Sequence, residues 1–190
     1  MSARALNWYT SCLLKKPYTT KMITSFITFG LGDIVSQMIE KNAKKKKGEK
    51  SRFNFNRFFK QATFGVLITP YLHLHFAKIV PFFVPDNPAT NPKMLILKRM
   101  LYDQSVHATF FTIVYFMWLN LVNNSGVSKA VNNTKDLLVP TMIANWKVWP
   151  LVMTINFSIM PPHYSVLYVN IVAIFWNAYI SYVFNRNKAL

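Results

Sequence analysis

The sequence predicts an all-α fold, a polytopic transmembrane helical bundle of four to five spans led in by an N-terminal interfacial helix, as one membrane domain over residues 1–190. Three observations predict it. About half of the residues are apolar and only 15% are charged, against about a quarter charged in a typical soluble domain, so little polar surface is available to solvate an exterior. Several apolar stretches approach the roughly 20 residues that a bilayer core requires. Finally, 22 Lys and Arg stand against six acids, a formal charge of +16, and such a surplus calls for an anionic partner. Anionic lipid and nucleic acid are the usual ones; bilayer-length runs favour lipid and argue against nucleic acid.

The elements follow in order. Residues 1–21 open with MSARALNWYTSCLLKK, which has no acid and places Leu6, Tyr9, Leu13 and Leu14 near helical spacing. Two readings stand: an uncleaved mitochondrial address on an interfacial helix, or a plain surface helix ending before Pro17. The lone cysteine, Cys12, excludes an internal disulfide and any CxxC site. The first apolar span runs from Met22 to Ile39. A basic loop over 41–57 follows, and the stretch from Lys41 to Lys60 holds nine cations and one acid, Glu49. By the positive-inside rule this loop faces the side from which charge is not translocated, which for an inner mitochondrial membrane is the matrix. Lys44, Lys45, Lys46, Lys47, Lys50 and Arg52 lie within a Debye length of headgroups and are the expected contacts to anionic lipid such as cardiolipin.

Further spans run from Phe58 to Val80, Leu101 to Val122, Leu137 to Met160 and His163 to Phe184. Turn-rich breaks at Phe83–Lys93 and Val122–Lys135, and a Pro-Pro turn at Met160–His163, separate them. The last two spans then form a C-terminal hairpin over 137–184. None of the five is a clean lipid-facing cylinder, because Asp33, His73, Lys147, Asn156, Asn170 and Asn177 lie inside them. Such residues face protein or a water cavity.

Asp33 follows Gly30-Leu31-Gly32, and Gln37 stands one turn on along the same face. They are read either as groups on a pore or as a buried carboxylate with hydrogen-bonded neighbours that fixes helix packing; small residues beside them allow close approach. Lys147, between Trp146 and Trp149 and before the helix-disturbing Pro150, is either a snorkelling interfacial lysine or the interior ion-pair partner of Asp33 or Asp103. Asn170 and Asn177 share a face, and with Asn156 they act as interhelical glue or line a watery path. His73 and His75 point about 200° apart on a helix, and His107 and His163 belong to other spans, so no metal site is expected. Neither a nucleophile motif nor a paired carboxylate points to an enzyme, and no cofactor is implied.

The stretch Asn145–Ser181 carries a W-x-x-W-P run (Trp146, Trp149, Pro150), an N-F pair (Asn156, Phe157), a proline turn (Pro161) and a closing W-N-x-Y-I-S (Trp176, Asn177, Tyr179, Ser181). This pattern resembles the Mpv-seventeen and peroxisomal-membrane-protein family of small organelle membrane proteins. Weaker matches extend the resemblance over nearly the whole chain: Pro17, Phe29–Gln37, Gly65 with Pro70 and His73, and Asp103-Gln104. The chain departs from the family pattern at Thr69, His75-Phe76, Thr109 and Ser165. The resemblance implies an inner mitochondrial or peroxisomal membrane, a role in passing small solutes or in membrane and mitochondrial-genome homeostasis, and no defined reaction. Two functions are therefore expected: a small-solute channel of transport class, alone or as a homo-oligomer, or an accessory scaffold of a larger respiratory assembly.

Overall fold

A computed structural model of the chain describes residues 3–87, 91–158 and 162–188. Among the described residues there are helices and short connections and no strand. Helix α1 is Ala3–Lys15 and α2 is Pro17–Lys46. Helix α3 is Phe55–Phe83 and α4 is Pro92–Val122. Helix α5 is Val127–Ser158 and α6 is Pro162–Lys188. By length and composition, α2, α3 and α4 are each apolar enough to cross a membrane. Helices α5 and α6 are comparably long, 32 and 27 residues. A helical membrane bundle is thus established, and among the described residues three helices meet the length and composition of a span.

Several boundaries differ from the sequence reading, each for a local reason. The expected single element over 1–21 is cut at Lys16, held out of the helical region (φ −139°) because the following Pro17 disfavours a helical residue before it. Pro17 then opens α2, where its missing N–H costs nothing. Thr20 Oγ1 donates to the Cys12 carbonyl at 3.0 Å and Tyr9 meets Thr24 at 3.1 Å, which docks α1 on α2. The basic segment 41–57 is only in part a loop. Helix α2 continues through Lys46, because Glu, Lys and Ala propagate a helix well and cations suit its C-terminal end. The chain then turns at Gly48 (φ +76°). Asn54 restarts it by accepting a hydrogen bond from the Arg57 N–H at 3.0 Å as the N-cap of α3.

The expected break at Val122–Lys135 shrinks to a four-residue turn with Asn124 and Gly126 at positive φ. Helix α5 starts ten residues before Leu137 and runs unbroken through both Pro140 and Pro150. The proposed Pro-Pro turn, with Pro161, lies outside the described residues apart from the start of α6.

Helices α3 and α4 each contain one π-turn, His75–Ile79 and Asp103–His107. In α3 the Val80 N–H reaches back five residues to the His75 carbonyl. The widening sits just before Pro81, whose ring would otherwise crowd the carbonyl four residues earlier. In α4, Ser105 Oγ donates to the Leu101 carbonyl at 2.7 Å, a side-chain competitor for the backbone ladder.

Helix α2 packs between α3 and α6, and α5 packs on α4 and α6. Glycines set the two closest crossings. A Cβ on Gly32 would stand 2.5 Å from Asn177 Cβ on α6, and one on Gly65 would stand 2.7 Å from the Ser25 carbonyl on α2. The apolar core gathers Phe29, Phe64, Tyr115, Phe116, Leu119 and Phe184. Outward faces carry large apolar groups such as Phe82, Leu14 and Phe175, as a lipid-facing surface should.

Candidate functional site

A cavity of about 340 Å³ lies among α2, α3, α4, α5 and α6. Its walls are largely apolar and aromatic, with Phe29, Phe76, Phe111, Trp149 and Trp176. Polar groups converge on it from Thr24, Thr28, Asp103, Gln104, His107, Asn145, Asn170 and Asn177. Concave, mostly apolar walls with a few placed polar groups are the usual form of a small-molecule site. Among the described residues the side chains of Asn170 and Asn177 have no protein hydrogen-bond partner, so their amides remain available to cavity contents. Trp149 and Trp176 meet edge-to-face at 6.2 Å, closing α5 against α6. Trp146 is half exposed and donates to the Gln104 carbonyl at 3.1 Å.

Asp33 and Gln37 belong to a separate polar cluster. Asp33 is fully buried, and its Oδ1 accepts from Arg57 Nε at 2.7 Å and from Ser181 Oγ at 2.7 Å. Arg57 also donates to Glu40 at 2.7 Å, Ser36 at 2.6 Å and Ser181 at 3.1 Å. Gln61 donates to Ser181 and accepts from Tyr115, so the cluster joins α2, α3, α4 and α6. Gln37 donates to Asp33 at 2.7 Å and clasps both backbone groups of Asn54. This is the packing role, with the carboxylate neutralised by a guanidinium; neither residue lines the cavity.

Arg57 escaped the sequence reading because it was counted with the loop cations. Its spacing from a helix N-cap was the available signal. Lys147 is the corrected call: it lies on the exposed outer face of α5 and, among the described residues, makes no ion pair. Both acids proposed for it are taken by nearer cations or donors, Asp33 by Arg57 and Asp103 by His75 at 3.3 Å. Asn156 and Phe157 fall within α5, and their side chains lie outside the described residues. Pro150 is interior to α5. Lys44, Lys45, Lys46, Lys47, Lys50 and Arg52 are all exposed and, among the described residues, none is ion-paired.

The histidines also depart from expectation. His73 turns outward to Lys21 (2.8 Å) and Tyr18. His75 and His107 stack across α3 and α4 with ring centroids 3.9 Å apart. Together with Asp103 they place three metal-capable atoms within 4.8 Å of one another. Spacing along one helix could not show this, because the partners sit on different helices.

A family model for the Mpv17 / PMP22 family matches residues 120–181. Protein SYM1 of Saccharomyces cerevisiae is 31% identical over 181 residues, covering 94% of this chain and 89% of the yeast protein. This chain belongs to the Mpv17 / PMP22 family. PXMP2/4 family protein 2 of Dictyostelium discoideum is 32% identical, covering 92% of this chain and 88% of that protein. Peroxisomal membrane protein 2 of Bos taurus is 30% identical, covering 94% and 88%. The family model spans the stretch of α5 and α6 that carries the tryptophan, proline and asparagine pattern. No solved structure matches this Mpv17 / PMP22 family chain.

Proposed function

We propose that the protein is a transport-class component of the mitochondrial inner membrane, a channel for small polar solutes that contributes to membrane homeostasis. The carrying observation is the cavity of about 340 Å³ lined by five helices, with the unpartnered amides of Asn170 and Asn177 on its wall. That volume suits a solute the size of a small metabolite or about ten waters, each needing about 30 Å³. The exposed cations at the end of α2 support contact with anionic lipid such as cardiolipin and a matrix-facing α2–α3 connection. A peroxisomal membrane is the alternative location, supported by the printed name of the bovine relative.

The test is reconstitution of the purified chain into liposomes. Small neutral solutes are expected to equilibrate faster than in protein-free vesicles, and Asn170→Leu with Asn177→Leu to slow them. Tight vesicles containing folded protein would remove the channel reading. Comigration of the native protein with a large respiratory particle in mild detergent would favour the accessory-subunit role instead.

A further inference from the structure

We propose that His75, His107 and Asp103 form a binding site for one borderline divalent transition-metal ion, Zn²⁺ foremost, in the wall of the bundle cavity. The three donor atoms lie within 4.8 Å of one another and come from two helices. His75 is only 1% exposed and His107 8%. The spacing of His75 Nε2 and Asp103 Oδ1, 3.3 Å, is long for a charge-assisted hydrogen bond, which runs about 2.7–2.9 Å. It matches the edge of a tetrahedron with metal–ligand bonds of about 2.05 Å, which is about 3.3 Å.

The surroundings are those of a supported ligand set. Tyr71 Oη meets His107 Nδ1 at 3.1 Å, which leaves Nε2 as the free donor. Gln104 donates to the second Asp103 oxygen at 3.3 Å and is itself held by Asn145 at 2.7 Å. Such outer contacts orient metal ligands and raise their basicity. The imidazoles stack with only 23° between planes. One ring must turn out of this stack about χ2, a broad torsion, to aim both lone pairs at one ion.

All three residues are the first or last of a π-turn: His75 opens one, and Asp103 and His107 bracket the other. Single π-turns inside α-helices recur at functional sites. Charge points the same way. An acid within a membrane helix needs a nearby cation; Asp33 has Arg57, whereas Asp103 has, among the described residues, no Lys or Arg partner. Two imidazoles and a carboxylate suit Zn²⁺ and its neighbours better than Ca²⁺ or Mg²⁺, which prefer all-oxygen shells. Asp103 and His107 also border the cavity, so a fourth coordination position opens into it. The proposal rests on this geometry and not on solute passage.

The experiment uses the full chain in detergent with any affinity tag removed. Equilibrium dialysis with Zn²⁺ is expected to give one ion per chain, and Co²⁺ substitution to give a tetrahedral visible spectrum. X-ray absorption of the Zn²⁺-loaded wild type should show two imidazole nitrogens at about 2.0–2.1 Å. His107→Gln should abolish binding and Tyr71→Phe weaken it about 10–100-fold, while His73→Gln keeps it. Folded wild type that takes up neither ion, or a Zn²⁺ shell with fewer than two imidazoles, overturns the site. So does binding that survives His107→Gln. If that variant does not fold, the wild-type absorption data alone decide.

Discussion

Arg57 holds the only charge that neutralises a fully buried carboxylate among the described residues, so its removal is the sharpest probe of the fold. Arg57→Met keeps the side-chain bulk but deletes four hydrogen bonds of 2.6 to 3.1 Å, to Asp33, Glu40, Ser36 and Ser181. Asp33, 0% exposed, then keeps a charge with only Gln37 and Ser181 as donors. Breaking a buried pair from one side costs about 3–5 kcal/mol. In a chain of this length each kcal/mol moves Tm by about 2–4 °C, so the expected fall is about 6–20 °C. Thermal unfolding in one detergent, followed by circular dichroism, measures it.

The decisive comparison is the double variant. Asp33→Asn in the Arg57→Met background removes the uncompensated charge while keeping the amide's hydrogen-bonding shape, and should recover a large part of the loss. The coupling is non-additive because the two side chains touch. If Arg57→Met melts with the wild type, or if the second substitution lowers Tm further, the ion pair is not what holds this junction.

Other expectations are smaller or opposite in sign. Gly32→Val forces a side chain where Asn177 Cβ would stand 2.5 Å away; overpacking of this kind costs about 1–3 kcal/mol, read as a lower Tm. Lys147→Gln, on the exposed face of α5, should leave Tm unchanged within about 0.5 kcal/mol, and a large fall would mean an interior partner. Replacing Lys44, Lys45, Lys46 and Lys47 by Gln should reduce retained anionic lipid, measured by native mass spectrometry, and flatten its dependence on salt; unchanged retention would place the lipid contacts elsewhere.

The bundle was legible because hydrophobic length and scarcity of charge are properties of the chain itself. Helix ends were less so. Lys44–Lys46 read as loop by charge, yet they are good helix formers at a favourable terminus; the segment Val127–Lys135, within the expected break, read as loop by its asparagines, yet Ala130 is fully buried and Asn133 donates to Asn120 across the turn. At the site, the seven-residue spacing of Asn170 and Asn177 showed their shared face, while the residues around Asp33 left its pore and packing readings both open. The Arg57 partnership and the His75–His107 stack were not legible, since each joins residues far apart in sequence. Moreover, a π-turn inserts one residue per turn and rotates all later positions away from the ideal helical count. His107, which closes its π-turn, therefore cannot be aimed by the 3.6-residue rule alone.

The Asp33 cluster draws its members from both ends of the chain, Ser181 standing 148 positions after Asp33. The α2–α3 pair already contains acid and guanidinium, so the charge of Asp33 is compensated inside that hairpin. Helix α6 supplies a hydroxyl, not a charge, and fits against Gly32 where no side chain stands in its way. The charge pair of this cluster is thus complete within α2 and α3 alone, and α6 adds to it only a neutral partner.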